Sequence, residues 1–359
     1  MSSAQTTSTA GLPTLLFRAD AGMTIGTGHV MRGIGLAQQW QDLGGRAVML
    51  MATPNEAIAS RLQREKILVE VIDAAPGTPA DAVATVRAAR RFCADWIVVD
   101  GYAFDTPWLA RVGEGGIPLA LWTDYVQAAR LPVSLLLNQN PHASESEFRA
   151  VAPDAKLLIG LNYAVLRREF RVRADRRRER SAGVRQLLVT LGGSDAVNAT
   201  RTVLEALALL GPAVPATTVV VGANNPRMEE LGSLARNIPG ADLRHDVKDM
   251  GELIDRCDLA LSAAGATLWE LAYLGVPALA TVLADNQVPL AAAVGTAGAG
   301  IDLGWNHALN PERLASLLSS VLADRQRVAV MSRAALGLVD GRGAERVCAA
   351  LAAQGARKS

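Results

Sequence analysis

A histidine at the mouth of a glycine loop is the residue of this chain best placed to move a proton. A short apolar segment ending at Phe17 leads into a loop that contains Gly22, Gly26 and Gly28, and a helical pattern begins directly afterwards. Such a loop lets backbone N–H groups approach an anion, and the helix dipole favours negative charge there. His29, one of four histidines in the chain, lies at this helix mouth and could transfer a proton near neutral pH. A nucleotide-type turn with a capping histidine fits the same spacing.

A second glycine loop follows an apolar segment near the middle of the chain. In LVTLGGSDAVNAT, residues 188–200, a predicted strand leads into Gly192 and Gly193, and a helical pattern follows. The two glycines would let the backbone approach a phosphate, and the hydroxyl of Ser194 could add a hydrogen bond. A tight turn without a ligand fits these residues equally well.

The segment 261–287 is more specific, because small residues and a carboxylate coincide at the predicted start of one helix. Ser262, Gly265 and Thr267 are expected at the mouth of this helix, with Glu270 one turn into it. Small residues at a helix start can hold a diphosphate, and a carboxylate beside them can bind the two hydroxyls of a ribose. The alternative is that Glu270 only interacts favourably with the helix dipole.

Three polar residues close this segment. Asp285, Asn286 and Gln287 follow the apolar run PALATVLA, at the expected carboxyl end of a strand. Ligands of open α/β sheets bind at that edge, so we expect hydrogen bonds to a sugar here. A plain turn is the alternative.

The order of strand-like and helix-like segments predicts the fold that must position these residues. Apolar runs such as LLFRAD, WIVVDGY and LLLNQN alternate with helical patterns, which is typical of α/β proteins with parallel sheets covered on both faces. Two such series, each opening with a glycine loop, predict two doubly wound, Rossmann-like domains with a cleft between them. We expect a disordered leader over 1–13, a first domain over 14–170, a linker over 171–185 and a second domain over 186–359.

The expected junction carries an arginine-rich run. Residues 167–180 contain eight arginines and three acidic residues. We interpret this run as the solvated surface of a helix or linker rather than as an anion site.

Composition argues against several other classes of protein. Half of the 359 residues are hydrophobic and the formal net charge is +1, so nothing global indicates binding to nucleic acid. The three cysteines lie far apart and the histidines are scattered, which predicts neither a disulfide framework nor a metal site. The apolar runs are too short to cross a bilayer and the polar N-terminus lacks the features of a signal peptide. We therefore expect no membrane partner and a cytoplasmic location.

Taken in order, the motifs resemble a known family of enzymes. FRADAGMTIGTGHVMRG is similar to the opening signature FR-x-D-x(5)-G-x-GH-x-x-R of the pseudaminic-acid pathway hydrolases, which cleave a UDP-linked 2,4-diacetamido-2,4,6-trideoxy sugar and are relatives of the GT-B glycosyltransferases. DGYAFDTPWL, LLLNQN and GLNYAVLRREF are similar to further segments of that family, and LGGSD, S-x-G-x-T-x-x-E and the closing NQ complete the set. The resemblance covers about residues 14–290.

The resemblance implies a GT-B-like fold and hydrolysis at the anomeric carbon with release of UDP, and it assigns His29, in the first domain, as the base that activates water. We expect UDP on the second domain, because its two predicted helix mouths are lined with small residues and followed by one carboxylate. The chain lacks the D-x-D pair with which transferases hold a divalent ion, so we expect neither a metal nor a cofactor. The residues expected to orient the sugar and the water, or to line their site, are Asp20, Gly28, Arg32, Tyr102, Asn140, Asn286 and Gln287. Those expected to bind UDP are Gly192, Gly193, Ser194, Ser262, Gly265, Thr267 and Glu270.

Other functions remain open at this point. A GT-B transferase would use a sugar or lipid acceptor in place of water, and a UDP-sugar-binding subunit would have no catalysis of its own. A sugar-nucleotide 2-epimerase would need an acid–base pair across the sugar ring, which the sequence does not locate.

Overall fold

The computed structural model describes residues 13–355 except 23–24, 53–55, 128, 194 and 223–224. Nearly all of the expected leader over 1–13 and the predicted phosphate ligand Ser194 therefore lie outside the described residues. The described chain forms two separate parallel sheets, of seven and six strands, which confirms the predicted fold class.

The strands and helices of the first domain follow one another along the chain as β1 (Thr14–Ala19), α1 (Gly28–Asp42), β2 (Arg46–Met51), α2 (Glu56–Arg64), β3 (Leu68–Val71), α3 (Pro79–Arg91), β4 (Trp96–Asp100), α4 (Thr106–Gly113), β5 (Leu119–Trp122), β6 (Leu135–Asn138), α5 (Glu145–Val151) and β7 (Lys156–Ile159). Its sheet has the strand order β3-β2-β1-β4-β5-β6-β7, with every paired neighbour parallel. The strand order reverses direction between β1 and β4. The loop that precedes His29 leaves the sheet at this switch point, where such folds bind ligands.

A short helix, α6 (Arg168–Arg171), leads to the second domain. Its elements are β8 (Gln186–Thr190), α7 (Ala199–Leu210), β9 (Ala216–Val221), α8 (Met228–Ala235), β10 (Ala241–His245), α9 (Met250–Arg256), β11 (Leu259–Ala263), α10 (Thr267–Tyr273), β12 (Ala278–Val282), α11 (Val288–Thr296) and β13 (Gly300–Trp305). The second sheet has the strand order β10-β9-β8-β11-β12-β13. Three helices complete the described chain, namely α12 (Pro311–Ala323), α13 (Arg325–Leu336) and α14 (Gly343–Gly355). The loops after β8 and β11 flank the switch point of this sheet.

Helices cover both faces of the first sheet, which explains why its strands read as continuous apolar runs. Leu15 and Phe17 pack on one face with α1, whereas Leu16 packs on the other with α3 and α4. Alternate residues of one strand are therefore buried in two different cores.

The last helix returns to the first domain, which differs from the predicted boundary of the second domain at 186–359. Val347, Cys348 and Leu351 of α14 belong to the same hydrophobic cluster as α1 and β1. The N-terminal end of α14 lies so close to the chain crossing between the domains that a Cβ at Gly343 would overlap the Ala164 carbonyl oxygen. The sequence shows an amphipathic helix here, but periodicity does not say which sheet it covers.

The arginine-rich run is solvated only in part, at residues such as Arg176, so that interpretation was wrong for the other arginines of the run. Arg167 and Arg180 are buried, and Arg168 and Arg171 both pair with Asp42 of α1. Farther along the run, Arg173 pairs with Asp249 and Arg178 with Asp255, both in the second domain. The run therefore fastens the crossing segment to both domains.

The close approach at Gly343 predicts a specific loss of stability. Gly343→Ala should lower the unfolding free energy by about 1–3 kcal/mol, because the added methyl group must displace backbone at residue 164. Urea denaturation followed by circular dichroism measures this. Gly232→Ala is the matched control, since the nearest atom to its added Cβ is 3.9 Å away and the substitution lies within α8. Equal midpoints for the two variants would contradict a tight crossing.

Candidate functional site

A backbone hydrogen bond closes the glycine loop that precedes α1. The Gly22 N–H donates to the Gly26 carbonyl oxygen at 3.0 Å, and Gly26 has a φ of +71°. Thr27 precedes the helix without a side-chain capping hydrogen bond, so no side chain at that position occupies the first-turn N–H groups of α1. Gly28 is the first residue of the helix and His29 the second.

His29 is held by a carboxylate from the neighbouring strand. Its Nδ1 lies 2.7 Å from Oδ1 of Asp100, the last residue of β4, and both side chains are buried. A proton on Nδ1 is donated to this carboxylate, which leaves the lone pair of the neutral ring on Nε2. The pair can therefore accept a proton at Nε2 while Asp100 stabilises the imidazolium that forms.

Arg32 lies one turn after His29 on the same face of α1 and binds the same carboxylate twice. Its Nε and Nη2 donate to the two Asp100 oxygens at 2.6 Å each, and Nη1 donates to Asp124 Oδ1 at 2.8 Å. The guanidinium also lies over the Trp122 ring, 4.8 Å from its centroid. Burial alone would raise the pKa of Asp100, but Arg32 and His29 outweigh it and hold this pKa well below its usual range. Asp100 is therefore a fixed negative charge.

Asp124 links Arg32 to two further side chains. Its Oδ1 accepts from Asn140 Nδ2 at 3.0 Å, and its Oδ2 accepts from the Tyr102 hydroxyl at 3.3 Å. Burial, and after it the charge of Asp124, raises the pKa of Tyr102 to about 12. Tyr102 consequently keeps its proton at neutral pH.

The two domains meet at this cluster. Asn286, which follows β12 in the second domain, donates from Nδ2 to the Tyr102 hydroxyl at 2.8 Å. The glycine loops of the two domains also touch, because a Cβ at Gly193 would lie 2.9 Å from Thr27 Oγ1. His29 therefore lies in a cleft between the domains.

The predicted UDP ligands lie at the carboxyl edge of the second sheet, with one correction. Gly192 has a φ of +92°, and a Cβ at Gly265 would meet no atom within 4 Å. Thr267 is the first residue of α10. Ser262, expected at a helix mouth, is instead fully buried inside β11, where its hydroxyl donates to the Ala263 carbonyl at 3.0 Å. A serine at this point of the sequence can either cap the following helix or lie buried in the preceding strand, and the sequence alone does not distinguish the two.

Glu270 is buried against an arginine that sequence reasoning did not select. Its Oε1 accepts from Arg167 Nε at 3.0 Å and lies 2.9 Å from Nη2, and Arg167 also pairs with Glu169. Burial raises the pKa of Glu270, with the charge of Arg167 opposing that shift. The LRREF segment is the signal that the sequence offers, but it lies at the start of the arginine-rich run, which by charge alone also fits a solvated surface.

Two predicted sugar ligands are engaged within the protein. Asp20 accepts from the Ala52 N–H at 2.7 Å and from Arg18 Nη1 at 2.6 Å, which ties the ends of β1 and β2 together. Gln287 Oε1 accepts from the Leu283 N–H at 2.9 Å. The structure thus brings together His29, Arg32, Tyr102, Asn140 and Asn286, with Asp100 and Asp124 as the acidic residues that sequence reasoning missed.

Two other kinds of feature are absent from the part of the chain that the structure describes. Within the described residues, no group of three or more His, Cys, Asp or Glu side chains could hold a metal ion. No helix of the described chain is long and apolar enough to span a membrane.

Comparisons with known proteins point to nucleotide-sugar enzymes. Residues 187–347 match the glycosyltransferase family 28 C-terminal domain. Over 281 residues the chain is 22% identical to the UDP-2,4-diacetamido-2,4,6-trideoxy-beta-L-altropyranose hydrolase of Campylobacter jejuni, covering 76% of this chain and 93% of that protein. It is 29% identical over 168 residues to the spore coat polysaccharide biosynthesis protein SpsG of Bacillus subtilis, covering 46% of this chain and half of SpsG.

Solved structures agree on the architecture. MurG of Acinetobacter baumannii superposes with a TM-score of 0.65 at 20% identity, covering 94% of this chain and 99% of that one. HepE of Anabaena in complex with UDP superposes with a TM-score of 0.60 at 16% identity, covering 95% and 100% of the two chains. These likenesses, together with the two parallel sheets, confirm the GT-B-like fold.

The buried ion pair predicts a pH-dependent stability. Asp100→Asn should lower the unfolding free energy by about 3 kcal/mol at pH 7, because Arg32 loses a buried partner. A carboxyl whose pKa is lowered by folding contributes its full stabilisation at any pH above its pKa in the unfolded state, roughly 3.9. This stabilisation is lost as the pH falls below that value towards the pKa of the folded state. The gap between variant and wild type in urea midpoints should therefore shrink below about pH 4.

Asp154→Asn serves as the control, because the Asp154 side chain is 79% exposed and pairs only at the surface with Arg130. We expect it to change the midpoint little at any pH. A gap for Asp100→Asn that stays constant as the pH falls from 5 to 2 would contradict the depressed pKa.

Proposed function

We propose that this protein hydrolyses a UDP-linked 2,4-diacetamido-2,4,6-trideoxy sugar at the anomeric carbon, as in pseudaminic-acid-type biosynthesis. The observation that carries the proposal is the buried Asp100–His29 pair at a helix mouth in the interdomain cleft. The alignment with the Campylobacter jejuni hydrolase over 93% of that protein supports the choice of substrate.

The reaction needs one proton transfer and one bond exchange. In the proposal, Nε2 of His29 takes a proton from water as the water oxygen bonds to the anomeric carbon. The bond between that carbon and the UDP oxygen breaks, and its electron pair leaves on UDP. Asp100 stabilises the charged ring, and general base catalysis of this kind contributes on the order of 10²–10⁴ in rate. The proposed step uses neither a metal ion nor a cofactor.

UDP is proposed to lie on the second domain. The open space at Gly265, the helix start at Thr267 and the positive φ of Gly192 support a diphosphate at the loops after β8 and β11. Both contacts from Arg167 go to Oε1 of Glu270. We propose that the Glu270 carboxylate accepts hydrogen bonds from the ribose hydroxyls. N–H groups at these loops would then stabilise the negative charge of the leaving UDP, so the reaction would need no acid from the protein.

The sugar would lie between the domains, against the first. Tyr102, Asn140 and Asn286 surround the base with hydroxyl and amide groups that can orient a sugar or the attacking water. Arg32 holds Asp100 and so fixes the base. Gly28 lets the helix mouth remain open, and Asp20 and Gln287 are proposed to shape the surrounding loops.

A glycosyltransferase is the second candidate. The match of residues 187–347 to the glycosyltransferase family 28 C-terminal domain favours it. So does 25% identity over 341 residues to the UDP-N-acetylglucosamine--N-acetylmuramyl-(pentapeptide) pyrophosphoryl-undecaprenol N-acetylglucosamine transferase of Rhizobium etli. In that case an acceptor hydroxyl would replace water and His29 would serve the same role. A UDP-sugar-binding subunit without catalysis is the third.

The role of His29 predicts the effect of one substitution. His29→Asn should retain the fold and the affinity for UDP but lower kcat by about 10²-fold or more, because Asn cannot take the proton. Release of UDP and free sugar, without acceptor, is followed by NMR. EDTA should leave the wild-type rate unchanged. Near-normal turnover of the variant, loss of activity in EDTA, or release of UDP only with an added acceptor would each count against the proposal.

The placement of UDP predicts a second effect. Glu270→Ala should weaken UDP binding by roughly 1–3 kcal/mol, the range for hydrogen bonds to charged groups, as measured by titration calorimetry. Glu252→Ala is the matched control, because Glu252 is likewise acidic in the first turn of a helix but lies at the start of α9 and is about half exposed. Unchanged UDP affinity in Glu270→Ala, with the fold intact, would remove Glu270 from the site.

A further inference from the structure

Two tyrosine rings lie exposed in the cleft beside His29. Tyr102 and Tyr125 are 45% and 44% exposed, and their ring centroids are 5.8 Å apart. The Tyr102 ring also meets the His29 ring edge to face at 4.9 Å. Val126, next in the chain, is exposed as well. We call Tyr102, Tyr125 and Val126 the aromatic shelf. Adjoining apolar surface left uncovered at a candidate active site marks a place where a ligand packs.

The shelf is held rigid from behind. The Tyr102 hydroxyl donates to Asp124 and accepts from Asn286, so its ring is fixed at the far end. The buried Thr123 hydroxyl donates to the Tyr125 carbonyl oxygen at 2.9 Å and lies 3.4 Å from the Tyr125 N–H, which holds the backbone under that ring. Because the shelf is already ordered, a ligand that contacts it loses little binding free energy to the ordering of side chains and backbone.

The ring faces of the shelf are apolar. The Tyr102 hydroxyl is already engaged, which leaves the Tyr125 hydroxyl, at the edge of its ring, as the polar group that the shelf still offers. A sugar hydroxyl placed on these ring faces would lose water without gaining a partner, whereas a methyl group would gain by leaving water. Aromatic rings of this kind therefore favour a substituent that carries a methyl group.

We propose that the aromatic shelf packs against a methyl-bearing substituent of the sugar, either an acetamido group or a deoxygenated C6. Tyr125 is the specificity-determining residue in this assignment, which rests on the proposed binding of a UDP-sugar in the cleft. The shelf follows β4 and β5 of the first domain, beside the base, whereas the proposed nucleotide ligands lie on the second domain. This placement favours the sugar over the uracil ring as its occupant.

The test is calorimetric binding in the His29→Asn background, so that the ligand is not consumed. The four probes are UDP, UDP-glucose, UDP-N-acetylglucosamine and UDP-6-deoxyglucose. We expect at least one methyl-bearing UDP-sugar to bind about 10-fold or more tightly than UDP-glucose, the scale of one buried methyl-sized group. Adding Tyr125→Ala should reduce this ratio to within about threefold, whereas Tyr125→Phe should keep it, because the ring rather than the hydroxyl makes the contact.

Leu43→Ala is the matched control, since Leu43 is exposed at the opposite end of α1 and should leave every affinity unchanged. A ratio that survives Tyr125→Ala, or equal binding of the three UDP-sugars, would overturn the assignment. So would an equal loss for UDP alone, which would place uracil on Tyr125. Selective binding of the probes, together with no release of UDP from the UDP-linked 2,4-diacetamido-2,4,6-trideoxy sugar by the wild type, would contradict hydrolysis and leave the shelf intact. Failure of all four probes to bind would overturn both proposals.

Discussion

The carboxylate of Asp100, buried between a histidine and an arginine, is the interaction on which the candidate site depends. It exists because β1 and β4 are neighbours and their register pairs Ala19 with Asp100. The loop leaving β1 therefore begins beside the end of β4, and α1 brings His29 and Arg32 onto that carboxylate from one face of a helix. An uncompensated carboxylate at this depth would be costly, so the base, its orienting acid and the arginine form one unit.

Much of this arrangement could be predicted from sequence, because local and global signals agree. Glycine loops between apolar runs and helical patterns locate the ligand edge of a parallel sheet, and the chain order of two such series predicts two domains. Asp100 and Asp124 were missed for a different reason. An acid at a strand end can cap a turn, face water or serve a site, and only the strand order decides which side chains it meets.

The other misses share one cause, which is that the partner lies far away in sequence. An arginine run looks solvated until Asp42, Asp249 and Asp255 are brought against it from three elements. A C-terminal amphipathic helix looks like part of the nearest domain until its apolar face is matched to α1. Periodicity describes which face of a helix is buried, whereas the identity of the surface that buries it is a tertiary property.

Of the two contacts across the cleft, one requires a side chain from the second domain and the other requires that a side chain be absent. Asn286 must reach Tyr102 to complete the surroundings of the base, and Gly193 must approach Thr27 without a side chain in the way. Glu270 meanwhile is tied through Arg167 to the segment that joins the domains. The proposed ribose ligand and the proposed base are thus both anchored to residues that depend on how the domains meet. A substitution at the crossing can therefore disturb nucleotide binding and proton transfer together, although it touches neither ligand.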